Sequence, residues 1–467
     1  YLYLIMTKSA EKLYMSYAVK NSEGAALIPS YIIRSMRKMF SHCLKLSYKD
    51  TAQQNSYVTI PRAANSFDNT EIAANVDEDI IDSLTGGRLV GSVTSFENFA
   101  ECPLRYYLRY GVDLKEREEF TFSPVNFGVV LHAVIREVCD EIKKNGESYY
   151  LISEEKRREM VKRSVAAITD IYQNSILKDS SRNSFMIKRM EDLADRTVWA
   201  MGEQLKCGDF VPFVFEHKFN MEVGDGDRKQ LMSGTIDRVD ICENGTDVYV
   251  RIIDYKTGKK DFNIVKTYYG IDIQLMVYME AAMKLVAKMR PGKNVIPAGV
   301  FYYNISDPIV SATTESAEEI EDKIKGELRL KGMVNSDKDI AEKMDNTEGT
   351  SLNIPVSRKA DGGFDSRRSK VMNTEQFNIL GRFVDVRAID TADRIAGGDI
   401  RRSPYKDGQF SSCDRCPYGA VCGFSVDLPG CNYRKLKKFD DEVLWNNIKE
   451  GVDENGKKMD TGAEERD

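Results

Sequence analysis

The sequence lacks several features that would assign a protein to a class directly. None of its apolar runs approaches the roughly 20 residues that a bilayer-spanning helix needs, so we expect no membrane partner. It contains no G-x4-G-K-[S/T] loop and therefore does not bind a nucleotide through that motif. Its nine cysteines are odd in number and mostly scattered, which argues against a secreted disulfide scaffold. Because it also opens at Tyr1 rather than at a methionine, we expect it to be part of a longer polypeptide.

The composition is that of a globular protein with a substantial core. The chain has 467 residues, of which 42% are hydrophobic and 30% are charged, enough for two or three domains. Its formal net charge of −6 conceals an uneven distribution. Residues 440–467 contain 10 acidic and 4 basic side chains, whereas residues 358–406 contain 11 basic and 7 acidic ones. The second segment is basic enough to meet a phosphate backbone, although ordinary solvated helices have similar compositions.

The spacing of apolar residues predicts an α/β fold in which helices flank a mixed central sheet. Predicted strands span residues 213–223, 231–241, 247–255 and 297–304. Predicted helices span residues 29–47, 126–144, 271–288 and 374–396, and further long helices fall within residues 153–205. Another helix is predicted to begin near Thr94, where Thr94, Ser95, Phe96 and Glu97 have the form of a capping box.

Changes in composition divide the chain into four parts. Residues 1–50 form an N-terminal part, and residues 51–90 form an acidic, weakly patterned linker. Residues 91–430 form the main domain. Residues 431–467 form an acidic tail, in which one docking helix is predicted from Val443, Leu444, Trp445 and Ile448.

The most informative segment is the predicted strand that ends in Asp254 and Lys256. Side chains two residues apart lie on the same face of a strand, so an apolar face ends here in a carboxylate and an ammonium group. Polar groups at the end of a buried strand are costly unless they are paired or bind a ligand. An exposed Asp–Lys pair on a hairpin is the alternative interpretation of this motif.

Two further carboxylates precede this motif. Asp237 lies 17 residues before Asp254 on the neighbouring predicted strand, and Glu216 lies on the strand before that. Carboxylates that converge at the ends of strands repel each other unless a hard cation lies between them, and oxygen ligands suit Mg²⁺. Such a metal would activate a water and stabilise charge on a phosphate, while Lys256 would orient the nucleophile or stabilise the developing charge.

Two helical pairs have a spacing that would bring them to the same site. Gly128 and His132 share one face of a predicted helix, where the glycine allows close packing and His132 could bind a metal or contact a phosphate. Gln274 and Tyr278 have the same spacing on the helix that follows the Asp254 strand. A packed surface histidine and an ordinary amphipathic helix would give these spacings equally well.

Three cysteines, Cys413, Cys416 and Cys422, form a close cluster with the pattern C-x2-C-x5-C. Three thiolates need a fourth ligand to hold a tetrahedral zinc or an iron–sulfur cubane. Cys431 is the neighbouring candidate, and Cys102, which is followed by a proline, is the distant one. Spacing alone favours Cys431 and does not distinguish zinc from an iron–sulfur cluster.

The nuclease motifs resemble those of the RecB-like branch of the PD-(D/E)xK nucleases. The match consists, in order, of Gly128-x3-His132, Glu216, Gly234-x2-Asp237, Asp254-x-Lys256 and Gln274-x3-Tyr278. The resemblance implies the PD-(D/E)xK nuclease fold, with a metal held by His132, Glu216, Asp237 and Asp254. It implies catalytic roles for the Asp pair and for Lys256, and it makes Gln274 and Tyr278 the accessory Q-x3-Y pair.

The cysteine pattern adds a second resemblance. A Cys-Pro before the G-x3-H helix, paired with a C-terminal C-x2-C-x5-C, is similar to the iron–sulfur nuclease domain of AddB-type subunits. This implies a [4Fe–4S] cluster held by Cys102, Cys413, Cys416 and Cys422, in a lobe that joins both ends of the domain. Residues 2–13 resemble the last helicase motif of superfamily 1 proteins, with Lys8 where an arginine is usual, which implies a helicase-like N-terminal stub.

The resemblance implies a Mg²⁺-dependent DNA exonuclease that degrades one strand, 5′ to 3′, during double-strand-break resection in the cytoplasm. Its partners would be DNA ends and an AddA-type motor subunit. Two alternatives fit the same motifs, a stand-alone CRISPR-associated iron–sulfur exonuclease and a catalytically idle DNA-binding scaffold. The helicase-like stub and the long helical insert argue against the first, and the intact Asp237, Asp254 and Lys256 argue against the second.

Overall fold

The computed structural model describes residues 15, 17, 26–28, 30–39, 75–77, 79–80, 90–115, 124–171, 181–223, 230–311, 316–428 and 431–452. The chain forms two compact units, Tyr1–Thr70 and Glu71–Asp467. In the first unit, helix α1 (Tyr31–Met39) lies within the predicted helix at 29–47. The helicase-like segment at 2–13, most of the acidic linker and residues 453–467 of the acidic tail lie outside the described residues.

A seven-stranded mixed sheet forms the centre of the second unit. Its strands are β1 (Val90–Ser92), β2 (Val211–Val223), β3 (Gln230–Asn244), β4 (Asp247–Lys256), β5 (Asn294–Asn304), β6 (Lys331–Asn335) and β7 (Val371–Met372). The strands are ordered β1-β3-β4-β5-β6-β7, and β2 pairs with β3. The pairs β2–β3, β3–β4 and β5–β6 are antiparallel, whereas β1–β3, β4–β5 and β6–β7 are parallel. The four predicted strands and the mixed sheet are therefore confirmed.

Helices cover both faces of this sheet. They are α2 (Val93–Glu101), α3 (Pro103–Tyr106), α4 (Pro124–Lys144), α5 (Glu154–Ile171), α6 (Ser181–Lys206), α7 (Ile264–Tyr268), α8 (Gln274–Met289), α9 (Ala317–Glu327), α10 (Lys338–Met344), α11 (Thr374–Ala396), α12 (Gly419–Cys422) and α13 (Asp441–Glu450). A short π-helix, Tyr107–Gly111, follows α3. The predicted helices at 126–144, 271–288 and 374–396 are confirmed, and the segment 153–205 forms two helices rather than one. None of the helices in the described ranges is long and apolar enough to cross a membrane.

Two apolar layers hold the sheet between these helices. Helices α4, α5 and α6 pack on one face, and α8, α11 and α13 pack on the other. Strand β4 contributes to both layers, because Tyr249, Ile253 and Tyr255 lie in the first, and Val248, Val250 and Ile252 lie in the second. A strand buried on both faces has a nearly continuous apolar sequence, which is why only its end carries the polar motif.

The C-terminal residues add a small sheet and a final helix. Strands β8 (Tyr405–Asp407), β9 (Phe410–Ser411) and β10 (Arg434–Lys435) form a three-stranded sheet beside the cysteine cluster. The predicted docking helix is α13, which buries Leu444 and Ile448 in the layer with α8 and α11.

The predicted capping box at Thr94 is wrong. Ser92 is the N-cap of α2, and its Oγ accepts a hydrogen bond from the backbone N–H of Ser95 at 3.2 Å. Glu97 does not fold back onto the start of its own helix. Its carboxylate binds the start of α8 instead, a contact between residues 176 and 177 positions apart that no local pattern reveals.

Candidate active site

The polar end of β4 lies beneath the first turn of α8. The Nζ of Lys256 lies 2.5 Å from Oδ2 of Asp254. Gln274, the first residue of α8, donates from Nε2 to Oδ1 of Asp254 at 3.1 Å and accepts from Lys256 Nζ through its Oε1 at 2.9 Å. The same Nε2 lies 3.0 Å from the hydroxyl of Tyr278. The structure thus brings four of the predicted site residues into one hydrogen-bonded group.

Asp254 is the most perturbed carboxyl of this group. It is 2% exposed, and burial together with the neighbouring Asp237 raises its pKa to about 7, although Lys256 opposes the shift. Oδ2 of Asp254 is buried and accepts no hydrogen bond of good geometry from any described residue. A buried carboxylate oxygen with a free lone pair is a costly arrangement unless a cation or a proton satisfies it.

Asp237 connects this group to a second one. Its Oδ2 accepts a 2.6 Å hydrogen bond from the backbone N–H of Tyr255, the residue after Asp254. Its Oδ1 lies 3.4 Å from Nδ1 of His132, which is itself 3.7 Å from Oε1 of Glu216. One ligand atom from each of His132, Glu216 and Asp237 lies within 4.8 Å of the other two. All four predicted metal ligands therefore border one region at the end of β4.

The acids around His132 favour its charged form. Burial alone would lower the pKa of His132, but the hydrogen bonds and negative charges of Asp237 and Glu216 raise it to about 10. Glu216 adopts a left-handed backbone with a φ of 48°, which costs about 1–3 kcal/mol in a residue other than glycine. Such strain occurs where the surrounding structure holds a side chain in place for function.

Sequence reasoning missed a polar group on the far side of Gln274. Glu97 of α2 is raised in pKa to about 7 by burial, against the attraction of Lys260 and with the repulsion of Asp272. Asp272 accepts a 2.6 Å hydrogen bond from the Tyr302 hydroxyl and lies 3.0 Å from Lys260 Nζ. The available signal was the placement of Lys260 and Asp272 close to the two motifs, but Glu97 had been assigned to a helix cap.

The cysteines come together at the other end of α2. One cavity is lined by Cys102, Cys413, Cys416 and Cys422, and Cys431 is not among its lining residues. Burial raises the pKa of Cys102, and the neighbouring Cys416 raises it further. The tertiary structure thus places the distant Cys102, rather than the neighbouring Cys431, beside the C-x2-C-x5-C cluster.

Residues 91–423, which contain every residue described above at both sites, match the PD-(D/E)XK nuclease superfamily. The chain belongs to the PD-(D/E)XK nuclease superfamily. This family assignment agrees with the mixed sheet and with the Asp254-x-Lys256 motif at its edge.

Relatives at about 30% identity share one name, that of the AddB-type subunit of an ATP-dependent helicase/deoxyribonuclease. The chain is 31% identical to this protein from Caldanaerobacter subterraneus subsp. tengcongensis, over 100% of this chain and 45% of the relative. It is 30% identical to the one from Clostridium acetobutylicum, over 97% of this chain and 44% of the relative. The values for the one from Lachnoclostridium phytofermentans are 30%, 100% and 44%. The resemblance to AddB-type subunits is confirmed, and the chain spans less than half the length of these relatives.

Proposed function

We propose that this chain is the DNA-cleaving part of a helicase–nuclease subunit and that it hydrolyses phosphodiester bonds with the help of a divalent cation. The superfamily and the name of the relatives support a nuclease. The observation that carries the proposal is the convergence of Asp237, Asp254 and Lys256, with one buried oxygen of Asp254 left without a hydrogen-bond partner among the described residues.

The residues present suit a hard cation. Asp237, Asp254 and Glu216 offer carboxylate oxygens, which Mg²⁺ prefers, and His132 offers one imidazole nitrogen beside them. These four side chains would hold the ion, and Asp254 Oδ2 would gain the partner it lacks. When bound, Mg²⁺ supplies an activated water and charge stabilisation on the phosphate.

The remaining side chains position and stabilise. Lys256 lies between Asp254 and Gln274, so its ammonium group is fixed before a substrate arrives. A cation fixed in this way stabilises the negative charge that develops on the phosphate without having to reorganise. Gln274 holds both partners at once, and the Tyr278 hydroxyl lies 3.0 Å from its amide nitrogen.

We propose that the four cysteines bind a [4Fe–4S] cluster rather than zinc. Tetrahedral zinc with Zn–S bonds of about 2.3 Å would bring its thiolates to within about 4 Å of one another. Among the described residues, the one group of three ligand atoms that all lie within 4.8 Å of one another is His132, Glu216 and Asp237, which contains no cysteine. The wider spacing around the cysteine cavity favours the larger cluster.

The wider biological role is also a proposal. The chain would degrade one strand of a DNA end, 5′ to 3′, during double-strand-break resection in the cytoplasm, with an AddA-type motor subunit as its partner. The support is the name of the relatives, which combines helicase and deoxyribonuclease.

The test is cleavage of end-labelled linear DNA by the anaerobically purified chain, with Asp254→Ala beside it. We expect Mg²⁺-dependent cleavage by the parent and none by the variant, and the labelled end reports the direction. Asp261→Asn, which changes an exposed carboxylate, is the matched control. If neither protein cleaves, an AddA-type subunit is added. Equal cleavage by parent and Asp254→Ala, or none by the complete complex, would refute the proposal.

A further inference from the structure

Helix α2 reaches the active site through one side chain, Glu97. Its Oε1 accepts hydrogen bonds from the backbone N–H groups of Ile273 and Gln274, both at 3.0 Å. These are the N-cap residue and the first residue of α8. A single carboxylate oxygen therefore holds the start of the helix that carries Gln274.

The start of α8 has no cap of its own. The first N–H groups of a helix have no partner within the helix, and an adjacent polar side chain usually satisfies one of them. Here the N-cap residue is Ile273, which makes no side-chain cap hydrogen bond. Glu97 replaces that cap from a distant segment, and its carboxylate is also favourably placed at the positive end of the helix dipole.

The position of this first turn decides the geometry of Gln274. Its amide must reach Asp254 and Lys256 at once, over distances of 3.1 and 2.9 Å. The turn before α8 is held from the other side by Asp272, whose carbonyl oxygen accepts a 2.8 Å hydrogen bond from Thr267 Oγ1. Glu97 completes this arrangement by holding the two N–H groups that the turn leaves free.

We propose that Glu97 is a positioning residue of the nuclease site, which acts by holding the backbone of Gln274 so that its side chain bridges Asp254 and Lys256. This inference rests on the proposed function, in which that bridge orients the catalytic lysine. The contribution of Glu97 is the hydrogen-bond acceptor, since both bonds are made by one oxygen that a glutamine also has.

The first test does not depend on activity. Hydrogen exchange of the peptide covering residues 270–278 is measured in the parent, Glu97→Ala, Glu97→Gln and Asn98→Ala. We expect the amides of Ile273 and Gln274 to exchange about tenfold faster in Glu97→Ala, and at the parent rate in Glu97→Gln. Asn98→Ala is the control for damage to α2, because Asn98 bonds to Thr94 O and Tyr110 OH instead. Unchanged exchange in Glu97→Ala would overturn the inference.

The second test is a double-mutant cycle with Gln274→Ala, read as the single-turnover cleavage rate at saturating DNA. We expect Glu97→Ala to lose about 10- to 100-fold in the parent background and Glu97→Gln to keep the parent rate. In the Gln274→Ala background, Glu97→Ala should cost less than about twofold, because the side chain through which it acts is gone. Losses that multiply across the cycle would overturn the inference while leaving the nuclease assignment intact. Cleavage by Asp254→Ala would overturn both.

Discussion

Replacing Asp254 with asparagine should stabilise the metal-free chain at the same time as it abolishes cleavage. The pKa of Asp254 is raised from 3.8 to about 7, because burial and Asp237 disfavour its charged form more than Lys256 favours it. A carboxyl whose pKa is raised on folding makes the native state less stable as the pH rises from its unfolded value to its folded one. Asparagine removes this charge at every pH and keeps the shape of the side chain.

The size of the effect follows from the two pKa values. The raised pKa of Asp254 costs the folded chain about 4 kcal/mol at pH 8, and about 2 kcal/mol at pH 5, where the unfolded group is charged but the folded group is largely protonated. The gain from Asp254→Asn should therefore be at least about twice as large at pH 8 as at pH 5. Buried ion partners rarely give their full value, so the ratio between the two pH values is the sharper expectation.

Urea denaturation without divalent cations, at pH 5 and pH 8, measures this gain. Asp261→Asn, at an exposed position, is the control and should change little at either pH. Adding Mg²⁺ at pH 8 should stabilise the parent and not Asp254→Asn, because only the parent retains the full set of ligands. An Asp254→Asn chain that is less stable than the parent at pH 8, or equally stabilised at both pH values, would refute the reasoning.

Three further predictions concern other parts of the domain. Cys431→Ser should retain the iron and sulfide content of the anaerobically purified parent, whereas Cys102→Ser should lose them, and the reverse result would exclude the ligand set proposed here. Asp240→Ala should lower the free energy of unfolding by about 3–5 kcal/mol in urea titrations, because it leaves two buried arginines without their carboxylate; a loss below about 1 kcal/mol would contradict this. Gly234→Ala should destabilise the chain by about 1–3 kcal/mol and slow cleavage, since the new Cβ would lie 3.0 Å from a ring carbon of Tyr278; full activity would show that this ring moves freely.

The two ends of α2 connect the two proposed sites. The helix carries Glu97 to the start of α8, and its C-cap is Cys102 at the cysteine cavity. The side chain of Arg434, from β10, donates to the carbonyl oxygen of Ala100 in the same helix. The cysteine lobe and the nuclease centre are therefore joined by one short helix rather than by separate elements.

The elements of the fold could be predicted because their patterns are local. Strand β4 reads as an apolar run ending in Asp254 and Lys256, and α4 and α11 read as amphipathic repeats of helical length. Such patterns depend on which faces are buried, and burial is encoded residue by residue. The short strands β1, β6 and β7 were not predicted, because two to five residues carry too little periodicity.

The sequence by itself determined the chemical groups of the candidate site. The order of Glu216, Asp237, Asp254 and Lys256 on successive strands already required that their side chains meet, since neighbouring strands bring their ends together. The i, i+4 spacing of Gln274 and Tyr278 likewise required that both lie on one face of α8.

Only the tertiary structure decided which distant residues join that site. Spacing favoured Cys431 beside the cysteine cluster, yet the chain returns Cys102 to the same cavity after more than 300 residues. Glu97 satisfied a local capping pattern on paper but is bound to the backbone of α8. Contacts of this kind depend on how helices pack across the sheet, which is a property of the whole core and leaves no periodic trace in the sequence.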